Sequence, residues 1–208
     1  MNASATTLAL NLDPKSLLHS LSPYGEIGLI AMVFAETGLL IGFFLPGDSL
    51  LFTAGLLARG GSLNLAVILI GGFVAAVLGD QVAYTVGELL GPRVGRNPNS
   101  KIFKPAYLDR TRAFFERHGP KTIILARFVP VVRTFAPVLA GISGMKRTTF
   151  LRFNLVGAGL WIVVVTGAGY LLADVIGNSI DTYIFPILGV IVLISLIPPI
   201  LEWRRNRA

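Results

Sequence analysis

The sequence predicts an all-α integral membrane protein, because its composition and the length of its apolar stretches both suit a bilayer. Of its 208 residues, 53% are hydrophobic and only 14% are charged, whereas a soluble domain carries about 25% charged residues. The mean hydropathy is +0.72. Several apolar stretches approach the ~20 residues that cross hydrocarbon as a helix. They comprise residues 27–45, 63–86, 122–145, 155–173 and 183–201.

The residue types exclude several classes of function. Without any cysteine, the chain forms no disulfide, thiolate nucleophile or thiolate metal site. Its two histidines, His19 and His118, lie near predicted interfaces, so we expect neither a metal nor a cofactor. Hydrolysis of a lipid phosphate would require a nucleophile or a metal cage, and we therefore expect no enzymatic activity. The basic residues that give the net charge of +7 lie between the apolar stretches. In that position they indicate an interaction with anionic lipid rather than with nucleic acid.

Basic residues predict the topology. Eight lysines and arginines lie between Gly91 and Lys121, three more lie at 146–152 and three at 204–207, whereas residues 174–181 contain none. Because basic loops remain in the cytoplasm, these three groups and the C terminus are predicted to lie inside. The first 22 residues lack the pattern of a cleaved secretory signal.

Two apolar stretches are predicted to turn within the membrane. Residues 122–145 have basic groups on both sides, so they should enter and leave on the same face. Pro130 and Pro137 would break the helix there, giving a re-entrant hairpin; one kinked transmembrane helix is the alternative. Pro46 and Gly47 indicate another turn, in a hairpin of residues 26–58 that enters from the opposite face. Its first arm, 27–45, is also long enough to span.

The two halves have the same order of elements at an offset of roughly 90 residues. Each contains a short amphipathic helix (14–21 or 106–117), a hairpin and a spanning helix. A re-entrant hairpin enters and leaves the membrane on the same face, whereas a spanning helix crosses it once. Consecutive units must therefore be inverted, as in many transporters. We predict one membrane domain over residues 1–208. It comprises repeat 1 at about 12–90, a basic cytoplasmic loop with an amphipathic helix at about 91–121, repeat 2 at about 105–175, and a C-terminal transmembrane helix at about 183–202.

Four ionisable side chains lie within the two hairpins: Glu36, Asp48, Arg127 and Arg133. Each unpaired charge at mid-membrane costs about 2.5–3.5 kcal/mol, so these groups must be paired, protonated, hydrated or bound to a ligand. Two opposed hairpins would bring the acids of one half to the arginines of the other. As structural alternatives, Asp48 would only cap a helix and the arginines would only bind exposed carbonyls.

These side chains indicate proton coupling and phosphate binding. Glu36 has no capping role, and burial and a nearby arginine act in opposite directions on the proton affinity of a carboxyl group. Glu36 is therefore the best candidate for carrying a proton. The guanidinium groups of Arg127 and Arg133 match phosphate oxygens, which indicates an anionic, phosphorylated substrate. Asp80 is a candidate proton relay, a partner of another charged residue, or an interfacial aspartate.

Several motifs resemble the DedA family of bacterial membrane proteins. They are Glu36-Thr37-Gly38, Phe44-Leu45-Pro46-Gly47-Asp48, Gly79-Asp80 with Tyr84 and Gly87, Arg127-Phe128-Val129-Pro130-Val131-Val132-Arg133, Ala140-Gly141, Met145, Phe150, Asn154, Gly157 and Trp161. The resemblance implies two inverted re-entrant hairpins and a role in membrane-lipid homeostasis that depends on the proton motive force. Family members are identified as undecaprenyl phosphate translocases, and eukaryotic relatives are implicated in lipid scrambling. The resemblance places the family's acidic pair on Glu36 and Asp48 and its arginine pair on Arg127 and Arg133.

We therefore expect a proton-coupled transporter of the bacterial cytoplasmic membrane that moves undecaprenyl phosphate between leaflets. Arg127 and Arg133 would hold the phosphate, while Glu36 and Asp48, with Asp80 as a relay, would exchange protons. The expected partners are the polyprenyl phosphate, protons and membrane lipids, and a homo-oligomer is left open. A proton-coupled exchanger of small ions or drugs, and a passive lipid scramblase, are the alternatives.

Overall fold

A computed structural model describes residues 14–39, 47–94 and 113–176. This part of the chain is helical, which confirms the predicted all-α class. Its helices are α1 (Pro14–Gly38), α2 (Gly47–Arg59), α3 (Leu65–Val94), α4 (Thr122–Ala126), α5 (Pro130–Ile142) and α6 (Arg147–Ile176), with a further helical segment at 113–118. Pro46, most of the basic loop and the C-terminal helix predicted at about 183–202 lie outside the described residues.

Among the described helices, α3 and α6 are long and apolar enough to cross a membrane, over Leu65–Pro92 and Arg147–Val175. Each has 30 residues and extends for about 45 Å, longer than the ~30 Å hydrocarbon core. Large apolar side chains face outward along both helices; Ile70, Leu78 and Val163 are each more than half exposed. Such a surface is unfavourable in water and suited to lipid.

Proline determines where α5 begins but not where it ends. Pro130 is the first residue of α5, and Val129 before it is extended, at φ −113° and ψ 106°, as the residue before a proline prefers. Residues 127–129 thus separate α4 from α5. Pro137, which the sequence predicts as a second break, instead lies inside α5. Its missing N–H removes one helical hydrogen bond, while close packing of α5 on α3 holds the turns on either side.

The first helix is longer than the sequence predicts. Instead of a short interfacial helix followed by a hairpin arm, α1 is one helix of 25 residues, about 37 Å long. It ends at Gly38, where its backbone closely approaches α3. A Cβ on Gly79 of α3 would lie 2.9 Å from the backbone nitrogen of Gly38 and 2.9 Å from the Phe34 carbonyl oxygen, so this crossing requires a glycine at position 79.

In each half, the helix that precedes the long helix packs against the long helix of the other half. From the first half, α2 packs along α6; from the second half, α5 packs along α3. Glycines make both contacts, Gly55 with Gly169 in one and Gly87 with Gly141 in the other. A Cβ on any of these four would collide with the backbone of the opposite helix. Small residues let membrane helices approach closely, and here the same type of contact is built twice.

Two exposed ion pairs also join helices of the two halves. Arg59 of α2 donates to Asp174 of α6 at 2.5 Å, and Arg147 of α6 donates to Glu88 of α3 at 2.8 Å. Each arginine also lies over a tyrosine ring. Arg147 and Asp174 are about 40 Å apart along α6, so the two ion pairs connect the halves at opposite ends of this helix.

Gly169→Ala is expected to destabilise the protein, whereas Gly167→Ala is not. The new methyl at position 169 would collide with the Phe52 carbonyl of α2, and overpacking costs about 1–3 kcal/mol. A Cβ on Gly167, two residues earlier in α6, meets no described atom within 4 Å, and alanine stabilises a helix interior by about 0.5–1 kcal/mol. Thermal unfolding in detergent measures both effects. A melting temperature of the Gly169→Ala protein at or above that of wild type would contradict the close contact.

Candidate functional site

A cluster of three acids and two arginines is buried where the two halves meet. We call it the acid–arginine cluster; it comprises Glu36, Asp48, Asp80, Arg127 and Arg133. These residues come from α1, α2, α3, the break after α4, and α5, respectively. Four of the side chains belong to residues that are at most 5% exposed, whereas the Asp48 side chain is 39% exposed. The structure therefore brings together all the charged residues that the sequence singles out.

Arg133 connects α5 to the helix pair α1–α2. Its Nη1 and Nη2 donate to the two carboxylate oxygens of Asp48 at 2.7 and 3.1 Å, which is the bidentate geometry of strong arginine–carboxylate pairs. Nη2 also donates to Oε1 of Glu36. Asp48 accepts a further hydrogen bond, from Nε1 of Trp161 at 2.8 Å. Asp48 therefore contacts the second half of the protein, which a helix cap alone would not require.

Arg127 connects the break between α4 and α5 to α3 and α6. Its Nη1 donates to Oδ2 of Asp80 and to Oδ1 of Asn154 at 2.6 Å. Asn154 is fully buried and donates to the Val77 carbonyl at 3.4 Å, which orients its amide. Asp80 is only 2% exposed, so its side chain is buried within the protein. It is the ion-pair partner of Arg127.

Trp161 lies next to both arginines. The Cζ atoms of Arg133 and Arg127 are 4.6 and 5.5 Å from its ring centroid, within cation–π range. The sequence alone predicts no separate role for Trp161 or Asn154. Their spacing of seven residues, or two helical turns, places both on one face of α6, which is the signal that points to them.

Gly47 provides the space that Glu36 occupies. It is buried at the start of α2, and a Cβ there would overlap Oε2 of Glu36. Any other residue would therefore displace the carboxylate. The sequence predicts Gly47 only as part of a turn. In the structure, α1 and α2 touch each other through this contact, directly beside Arg133.

Several polar atoms of the acid–arginine cluster are unused. Nε and Nη2 of Arg127, Nε of Arg133 and Oε2 of Glu36 find no hydrogen-bond partner among the described residues. A buried polar group without a partner costs about 1–3 kcal/mol, so such atoms are few in folded proteins. A cavity of about 10 Å³ beside Asp80, Arg127 and Arg133 has room for about one water. The cluster can thus donate more hydrogen bonds than it does in this conformation.

The formal charges of the acid–arginine cluster do not cancel. Three carboxylates and two guanidinium groups sum to a charge of −1 when all are ionised, and net charge is costly in a medium of low dielectric. One bound proton would neutralise the cluster. The described part of the chain contains no group of three or more histidine and acidic side chains placed to hold a metal. Carboxylates can bind protons, and guanidinium groups can bind anions.

Fold and site together define a helical membrane protein with an acid–arginine cluster between its halves. The chain matches the family model described as the VTT domain over residues 45–171. It is 47% identical to Protein DedA of Escherichia coli (strain K12) over 181 residues, which cover 86% of this chain and 82% of that protein. It therefore belongs to the DedA family, and the resemblance seen in its motifs is confirmed.

Other relatives are also membrane proteins. The chain is 42% identical over 217 residues to the uncharacterized membrane protein ML0287 of Mycobacterium leprae, covering 100% of this chain and 94% of that protein. It is 38% identical over 146 residues to the inner membrane protein YqjA of Escherichia coli, covering 69% and 66% of the two chains. No solved structure matches the chain significantly.

Proposed function

We propose that this protein is a proton-motive-force-dependent transporter that moves undecaprenyl phosphate between the leaflets of the bacterial cytoplasmic membrane, with its C terminus in the cytoplasm. The observation that carries the proposal is the acid–arginine cluster, in which two buried arginines with unused N–H groups lie beside three carboxylates. A polyprenyl phosphate has an anionic head that suits the arginines and a tail that stays in hydrocarbon. A relative named as an inner membrane protein supports the location.

We also propose that the two halves of the protein form an inverted repeat. Each helix pair, α1–α2 and α4–α5, would be a re-entrant hairpin, and α3 and α6 would be the spanning helices that follow. The reciprocal packing of α2 on α6 and of α5 on α3 supports this arrangement, as do the glycine pairs at both contacts. Transporters with inverted repeats bind their substrates where broken helices meet near mid-membrane, and the acid–arginine cluster would occupy the corresponding position between the halves.

Phosphate binding would require the arginines to exchange partners. Phosphate oxygens would accept the hydrogen bonds that Arg133 now donates to Glu36 and Asp48 and that Arg127 donates to Asp80. A buried carboxylate without its cation favours the protonated form. Arrival of the phosphate would therefore load a proton onto the acids, and its departure would release that proton. Glu36, whose Oε2 is unused, is the proposed carrier.

The described conformation is closed to a phosphate group. The cavity among the arginines, about 10 Å³, holds about one water. Asp48 is the exposed member of the acid–arginine cluster, so the substrate would first compete with Asp48 for Arg133. No bond of the phosphate ester needs to break in this cycle, and we expect transport without hydrolysis.

Wild-type protein purified in mild detergent is expected to carry a polyprenyl phosphate, and the Arg127→Ala and Arg133→Ala variants are expected to lose it. Each substitution removes a guanidinium group that would bind the phosphate head. Mass spectrometry of the extracted lipid measures this. Arg152→Ala, at an exposed arginine of α6, is the matched control and should retain the lipid.

Folding of the variants is checked by size-exclusion chromatography. Equal amounts of the lipid in wild type and in the folded Arg133→Ala variant would contradict the phosphate site. Wild-type protein that carries no such lipid but exchanges small ions for protons in vesicles would favour the exchanger.

A further inference from the structure

An apolar cavity of about 430 Å³ lies between α1 and α2. We call it the α1–α2 cavity; its lining includes Gly28, Met32, Leu50, Thr53, Leu57 and Leu63. The cavity among the arginines, on the same measure, is about 10 Å³. Gly28 at its rim is exposed, as is the neighbouring Ile27, so the cavity is open to the surface of the protein.

One end of the α1–α2 cavity lies beside the acid–arginine cluster. Met32 precedes Glu36 by four residues and therefore lies on the same face of α1, one turn away. On α2, Leu50 follows Asp48 by two residues, and the lining continues for about 10 Å to Leu57. The contact of Glu36 with Gly47 joins the two helices at the cluster. Residues of both helices line the cavity on one side of this contact.

The surroundings of the α1–α2 cavity determine what fills it. Nearly all of its lining is apolar, and water in such a space would lack the two to four polar partners that it needs. In the proposed hairpin of α1 and α2, the surface around Gly28 would face hydrocarbon chains rather than water. A flexible apolar chain from the bilayer therefore suits this cavity in both chemistry and access.

We propose that the α1–α2 cavity binds the polyprenyl tail of the lipid whose phosphate head binds to Arg127 and Arg133. This inference rests on the proposed function and deepens it, because it assigns a second binding site to the same substrate. Met32 of the tail site and Glu36 of the acid–arginine cluster are one helical turn apart, which suits a phosphate attached directly to a single apolar chain. Displacement of Glu36 from Gly47 would connect the two sites, so binding of the head and entry of the tail would use the same opening.

Gly28→Leu tests the tail site. A Cβ on Gly28 meets no described atom within 4 Å, so the leucine should fill the cavity without disturbing the helix. Gly167→Leu is the matched control, since Gly167 of α6 is equally unobstructed and does not line the cavity. The probes are undecaprenyl phosphate and dimethylallyl phosphate, which has a single isoprene unit, bound to the protein in nanodiscs.

We expect Gly28→Leu to weaken binding of undecaprenyl phosphate about tenfold or more, because each methylene that the leucine excludes from the cavity loses its burial. Binding of dimethylallyl phosphate should be unchanged, and Gly167→Leu should alter neither. The tail site would be overturned if Gly28→Leu weakened the binding of both probes to the same extent. It would also be overturned if the affinity of Gly28→Leu for undecaprenyl phosphate were unchanged.

Photolabelling separates the tail site from the phosphate site. The probe is a polyprenol that carries a diazirine on its tail and has no phosphate. We expect it to label Met32, Leu50 or Leu57 in wild type and in Arg133→Ala, and to lose this labelling in Gly28→Leu. This result would support the cavity even if phosphate transport proved wrong. Labelling confined to outward-facing positions such as Val163 would overturn it. So would a disulfide between Gly28→Cys and a cysteine introduced within residues 183–201, since the chain's own apolar segment would then fill the cavity.

Discussion

Arg133→Met is expected to destabilise the protein by about 3–5 kcal/mol and to abolish transport. That is the usual cost of removing one partner from a buried ion pair, because the other charge is left uncompensated. Arg133 is at most 5% exposed and is the ion-pair partner of both Glu36 and Asp48. Equilibrium unfolding in detergent measures the stability, and proteoliposomes that contain undecaprenyl phosphate measure the transport.

Two further variants distinguish the structural role of Arg133 from its functional one. In Glu36→Gln with Arg133→Met, no charge remains at either position, so we expect most of the lost stability to return and transport to remain absent. Arg147→Met breaks the exposed pair with Glu88 and should cost less than about 1 kcal/mol. An equal loss of stability in Arg133→Met and Arg147→Met would contradict the burial of the cluster. Full transport by the double variant would contradict the roles of Glu36 and Arg133.

The members of the acid–arginine cluster can be found from the sequence because charge is costly in hydrocarbon. Glu36, Arg127 and Arg133 interrupt apolar stretches, and that single observation predicts that they must be compensated. Which acid faces which arginine cannot be read in the same way. The pairs Glu36–Arg133 and Asp80–Arg127 depend on contacts between distant helices, for which a single sequence has no local pattern.

The continuation of α5 through Pro137 and the position of Trp161 were not predicted, because both depend on packing between helices. The proline at position 137 predicts a helix break, but α5 continues through Pro137. One turn later in α5, Gly141 packs closely against α3. Trp161 suits the lipid-facing surface or the core of any membrane helix. Only the fold places its ring beside two guanidinium groups and its N–H on Asp48.

Glu36→Gln is expected to uncouple transport from the proton gradient while the protein remains folded. Glutamine has nearly the same shape as glutamate, and its amide oxygen can still accept the hydrogen bond from Arg133. It cannot bind and release a proton at neutral pH. If the acids take up a proton whenever phosphate displaces them from the arginines, this variant should bind the lipid and lose the dependence of its movement on the gradient. Glu116→Gln, at an exposed glutamate, is the matched control and should behave as wild type.

The most direct test is the rate at which undecaprenyl phosphate changes leaflets in proteoliposomes with and without an imposed pH gradient. For wild type and Glu116→Gln, the proposed coupling predicts a rate that rises with the gradient. For Glu36→Gln it predicts a low rate that the gradient does not change. A wild-type rate that is indifferent to the gradient and equal to that of Glu36→Gln would contradict it.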